Sequence, residues 1–106
     1  MFKVVKIQTR PNTSVPFWQG RNDPALTDEF RNYFYETYVL TGKFVSANSE
    51  TSADTLELKN TMIWSSEADW HALLADPVAQ EGLINKSKAH LAAQNIAEVN
   101  QPGVTF

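Results

Sequence analysis

The chain has no cysteine among its 106 residues. That excludes a disulfide scaffold, a thiolate zinc site, a Cys-ligated iron–sulfur cluster and a cysteine nucleophile. No apolar run approaches the ~18–20 residues of a membrane-spanning helix. Met1-Phe2-Lys3 leads straight into a short alternating segment rather than a signal-peptide apolar stretch. Glycine is scarce, and none of the four falls in a G-x-G-x-x-G, Walker or G-x-S-x-G pattern. There is no internal repeat and no low-complexity segment. Histidine is scarcer still. His71 and Glu67 lie four apart on one helical face, and two ligands make neither a tetrahedral nor a facial metal site. These absences predict one soluble domain over residues 1–106, cytoplasmic, without metal, cofactor, membrane or nucleic-acid partner.

Acid is missing from one stretch. The net charge of −3 comes from 9 basic and 12 acidic residues. Residues 1–21 nevertheless carry Lys3, Lys6, Arg10 and Arg21 and no acid, and most of the acids fall between 22 and 81. Cations this dispersed do not make a nucleic-acid arm, which clusters its Lys and Arg. They read either as solvated surface or as a small anion-seeking patch of Arg10 and Arg21.

What is present is ordered hydrophobic pattern. Lys3–Thr9 (KVVKIQT) is a β-branched strand with Val5 and Ile7 on one face and Phe2, Val4, Lys6 and Gln8 on the other. Pro11–Asn22 has no period and holds Phe17-Trp18, so it reads as a loop with an aromatic tip or clamp. Asp23-Pro24 is a helix start, with Thr27 as a second candidate cap. Phe30, Tyr33, Phe34, Thr37 and Tyr38 then form one stripe, which predicts a helix over 24–40 ending at Gly42.

Lys43–Ala47 is expected to be a short strand and Asn48–Asp54 a polar hairpin connection. Thr55–Trp64 alternates, with Leu56, Leu58, Asn60, Met62 and Trp64 on one face. Ser65 or Ser66 caps a second helix. That helix breaks and restarts at Asp76-Pro77 and runs to about Ala93. Ile96–Asn100 is a last strand, followed by the apolar tail Val104–Phe106. The order β-α-β-β-α-β predicts an α+β, ferredoxin-like domain: four antiparallel strands with two helices on one face.

The junction Trp64-Ser65-Ser66-Glu67-Ala68-Asp69-Trp70, followed by Asp76-Pro77, resembles the strand-to-helix junction of dimeric α/β-barrel proteins of the antibiotic-biosynthesis monooxygenase-like family. The resemblance implies a homodimer whose two sheets pack face to face into a barrel. In some members it also implies a pocket between helices and sheet for an aromatic, quinone-like or haem substrate. Cofactor-free oxygenation in such a pocket relies on an Asn, a Trp and a Tyr or His. Trp64 matches the Trp; the first strand offers only Gln8 where the haem-degrading branch has Asn. Ten residues beyond Trp64 stands Leu74, not His.

The ligand-binding candidates are therefore Trp18, Arg21, Tyr33, Trp64, Trp70 and His71, with no catalytic residue singled out. Each has an ordinary alternative: a core anchor for Trp64 and Trp70, an exposed helix side chain for His71, a loop folded on the core for Trp18. His90 reads as a cation suited to a helix C-terminus. Two functions stay open. One is a small homodimeric ligand-binding or interaction domain without catalysis. The other is a cofactor-independent monooxygenase-like enzyme acting on an aromatic small molecule. A sheet that stacks nucleic-acid bases needs exposed aromatics, and the third strand instead shows Glu57, Lys59 and Thr61.

Overall fold

The β-branched first strand becomes the centre of the sheet. The computed structural model covers residues 1–106. Its elements run β1 (Phe2–Thr9), α1 (Asp28–Phe34, continued by a π-helical turn at Tyr35–Val39), β2 (Phe44–Thr51) and β3 (Glu57–Trp64). They continue with α2 (Glu67–Ala75), α3 (Pro77–Ala79), a π-helical segment Gln80–Ile84, α4 (Asn85–Ala93), β4 (Ala97–Asn100) and β5 (Val104–Thr105). The sheet order is β2-β3-β1-β4, every pair antiparallel. This is the ferredoxin-like α+β architecture.

Register sets the two faces. Phe2 pairs with Trp64, Val4 with Met62, Lys6 with Asn60 and Gln8 with Leu58. Because side chains alternate along a strand, these residues share one face. The helices cover it. Phe2, Val4, Phe44 and Trp64 from the sheet pack with Phe30, Phe34 and Tyr38 of the first helix, Leu73 of α2, Ala79 of α3, and Trp18 and Leu26 of the loop. No helix covers the other face, which carries Val5, Ile7, Ile63 and Val99 among polar residues.

Several boundaries differ from the sequence expectation. The first helix starts at Thr27, whose hydroxyl accepts from the Phe30 N–H, and not at Asp23. Asp23 is buried and instead closes the preceding turn, accepting from the N–H groups of Gln19 and Ala25. Its side chain found a local backbone partner, the usual competitor to helix capping.

The second strand extends to Thr51, because Asn48–Thr51 pair with Leu58–Thr61. All its residues after Phe44 are exposed, so polarity there said nothing against a strand. The connection shrinks to Ser52–Leu56, where Thr55 takes φ 63. Finally, the tail is not free: Val104 and Thr105 pair with Lys3 and Phe2. Pro102 has no N–H for the ladder, and Gly103 lets the chain pass the buried Phe2 ring, whose Cζ would stand 2.0 Å from an added Cβ.

The Asp76-Pro77 break is real. Asp76 accepts from the Val78 N–H with Pro77 in the first helical turn. The resulting bend lets α2 and α4 take separate lines over the sheet.

Candidate functional site

Between the helices and the β1–β3 face lies a cavity of about 210 Å³. Its floor is Met62 and Trp64 on β3 with Phe44 on β2; Trp70, Leu73 and Leu74 of α2 form one wall, and Leu83, Ile84 and Leu91 another. Trp18 closes it from the loop. The volume exceeds the ~150 Å³ of an apolar cavity that holds benzene. It is below the ~300–1,000 Å³ typical of sites for drug-sized ligands. It has room for one or two aromatic rings.

The loop reaches the cavity because Gln8 holds it there. Gln8 is buried on the helix-facing side of β1. Its Nε2 donates to the Trp18 carbonyl at 2.8 Å and its Oε1 accepts from the Trp18 N–H at 2.9 Å. Both ends of the amide are consumed, so Gln8 positions the loop and has nothing left to offer a ligand. His90 adds a second tie. Its Nε2 lies 2.8 Å from the Pro16 carbonyl oxygen, which can only accept, so Nε2 carries the hydrogen. The His90 ring also packs on Trp18, centroids 5.7 Å apart. Arg10 is spent in the same way, donating to the carbonyls of Thr55 and Val15 and lying over the Phe17 ring. The anion patch of Arg10 with Arg21 is therefore not formed: Arg10 is a clamp, and Arg21 alone stands at the cavity.

Gln8→Ala is expected to destabilise the fold by about 2 kcal/mol, since two buried backbone groups of Trp18 lose their partners. Hydrogen exchange is expected to rise at residues 16–22 first. Unchanged protection in that loop would contradict the assigned role.

The structure brings four of the six candidate residues together: Trp18, Arg21, Trp64 and Trp70 all line the cavity. Tyr33 and His71 lie elsewhere. The Tyr33 hydroxyl donates to Asp76 Oδ2 at 2.6 Å, as does Tyr38 at 2.6 Å. Tyr33 thereby belongs to a link between the first helix and the α2–α3 bend. His71 is exposed on α2, 4.0 Å from Glu67. It is turned about 100° from Trp70 around the helix, away from the cavity.

Asn60 is a cavity residue that the sequence reading did not single out. It sits on the same face as Met62 and Trp64, and Ser49 Oγ donates to its Oδ1 at 2.5 Å. That bond fixes the amide and leaves Nδ2–H as the free group. The signal was available: a lone amide on an otherwise apolar strand face. A second free donor is the Trp64 indole N–H, buried and without a partner in the chain. Buried polar groups are seldom left so.

No family model matches the chain, and no curated protein matches it. Solved structures do. SnoaB, a cofactor-independent oxygenase from Streptomyces nogalater, aligns with a TM-score of 0.58 at 16% identity, covering 99% of this chain and 91% of that one. A dimeric ferredoxin-like protein from an uncultured marine organism aligns at TM-score 0.58 and 10% identity, over 99% and 95% of the two chains. The chain shares its fold with these oxygenase and dimeric ferredoxin-like structures. A candidate antibiotic biosynthesis monooxygenase from Deinococcus radiodurans is similar too, with TM-score 0.55 at 10% identity over 100% and 92%. At these identities the likeness is one of fold.

Proposed function

We propose that this chain is a homodimeric ligand-binding domain whose cavity takes an aromatic small molecule of one or two rings. The observation that carries the reading is the cavity of about 210 Å³ with three tryptophans and two phenylalanines in its wall. Aromatic walls favour a flat aromatic ligand through stacked and edge-on contacts. The partner is a second copy. The helix-free sheet face leaves Val99 at 62% and Val104 at 49% exposure beside Ile7 and Ile63, among polar residues, and exposed apolar side chains grouped in this way mark where subunits meet. The dimeric ferredoxin-like neighbour supports this reading. Sedimentation is expected to give a dimer at micromolar concentration, and naphthalene-sized aromatics are expected to change the tryptophan fluorescence. A monomer, or fluorescence indifferent to such a panel, would overturn the corresponding half.

A second reading is favoured by one observation. Asn60 and Trp64 share the cavity face, and the fold is that of a cofactor-independent oxygenase. Without a cofactor, the substrate must supply every electron that reduces dioxygen. A methylene between aromatic rings does so on becoming a carbonyl: one oxygen atom enters the product, and the other leaves as water with both methylene hydrogens. Where a ring carbonyl is conjugated with that methylene, loss of its proton gives an enolate, whose oxyanion Asn60 Nδ2–H and the Trp64 N–H would stabilise. Dioxygen uptake with such a substrate, lost in Asn60→Ala, tests it; no uptake leaves a binding domain.

A further inference from the structure

The lining of the cavity carries charge as well as apolar surface. Lys6, Arg21 and Lys88 line it, with Glu98 as the one acid, so the lining carries a net +2 in a chain of net −3. Glu98 is answered by Lys6, whose Nζ is 3.7 Å away. Arg21 and Lys88 have neither a carboxylate within ion-pair distance nor a hydrogen-bond acceptor in the chain. The Arg21 guanidinium is set over the ring of Phe44, a cavity residue, at 4.7 Å from its centroid. The neutral donors point to the same ligand chemistry: the Asn60 Nδ2–H group and the Trp64 indole N–H are both without a partner in the chain. The site is rich in donors and cations, and its one carboxylate is already paired.

The geometry points to an anionic aromatic ligand: one or two rings on the apolar floor, with a carboxylate or equivalent anion between Arg21 and Lys88. This rests on the aromatic-ligand reading above and adds the charge. Long-range attraction does not supply the preference, since the chain as a whole repels anions. It must come from these two side chains.

Calorimetric titration with 2-naphthoate and with its methyl ester tests the charge separately from the ring. At low ionic strength the acid is expected to bind about tenfold tighter than the ester, the effect of one charge-assisted contact. High salt is expected to shrink the difference, because both cations are exposed to solvent. Arg21→Gln and Lys88→Gln are each expected to bring the acid down toward the ester, with unfolding midpoints confirming that both variants fold. If acid and ester bind alike, the anion assignment falls while the aromatic cavity stands. If the preference survives in both variants, the assignment falls as well. If neither compound binds, both readings fall together.

Discussion

Replacing Trp64 by alanine is expected to cost about 3–5 kcal/mol, the range for removing a large buried aromatic. Trp64 is 0% exposed. Its ring lies 5.3 Å from Phe44, 5.5 Å from Trp70 and 6.0 Å from Tyr38, centroid to centroid. It therefore joins the end of β3, the start of β2, α2 and the first helix in one contact set. Aromatic pairs add roughly 0.5–1.5 kcal/mol each beyond area burial. A domain this size has only ~5–15 kcal/mol in total, so the variant is expected to be partly unfolded at 37 °C. Urea denaturation should show a lower midpoint with an unchanged slope. A nearly neutral result would mean that Trp64 serves the cavity and not the core. Trp64→Phe separates the two roles. It keeps most of the packing and removes the indole N–H, which satisfies nothing within the chain. It is expected to fold, at a cost of about 1–2 kcal/mol, and to bind carbonyl-bearing aromatics less well.

The contrast between Trp64 and Asn60 explains how much of this molecule was legible in its sequence. Element order followed from periodicity, because the buried stripes of the helices and of β3 must repeat at 3.6 or 2. Trp64 and Trp70 stood out by size at a strand-to-helix junction. Trp18 stood out because its loop lacks any period. Asn60 did not, because one polar residue in an alternating strand looks like noise until the cavity is seen above it. The β2 extension failed for a related reason. An edge strand exposed on both sides carries no hydrophobic period, and its pairing is written only in the backbone. Tyr33 and His71 were drawn to the site by residue type alone. Which way a helix faces within a degenerate stripe is a tertiary fact. Arg10 and Arg21 illustrate it again, since two equivalent cations in one loop ended as a clamp and a cavity group.

Asp76→Ala is the other substitution with a large expected effect, and its cost is about 2–4 kcal/mol. Asp76 accepts from both the Tyr33 and Tyr38 hydroxyls at 2.6 Å and from the Val78 N–H at 3.0 Å. The change removes a helix cap, worth ~1 kcal/mol. It also strands the hydroxyl of the buried Tyr38, worth ~1–3 kcal/mol. The first helix then loses its only polar link to the α2–α3 bend.

The pH dependence follows from the same contacts. Burial opposes the charge on Asp76, but the two tyrosine hydroxyls and the Val78 and Ala79 amides outweigh it and hold its carboxyl below the usual range. A depressed carboxyl contributes stability that is complete above its unfolded value of ~3.9. That contribution is lost as pH falls through the lower folded value. The tyrosines carry the opposite sign. Tyr33 is raised because its proton is donated to Asp76, and then by burial; Tyr38 is raised by burial first and by the same bond second. Their contribution is complete below ~10 and is lost as pH climbs through the raised folded values.

Thermal midpoints of the native chain are thus expected to fall at both ends. Asp76→Asn should flatten the acid limb below about pH 4, because no carboxyl remains there to protonate. An acid limb unchanged in Asp76→Asn would mean that other carboxylates drive acid unfolding and that the double tyrosine bond contributes little. Because neither tyrosine loses its proton near neutrality, Tyr33 and Tyr38 act only as donors that fix the helices over the cavity.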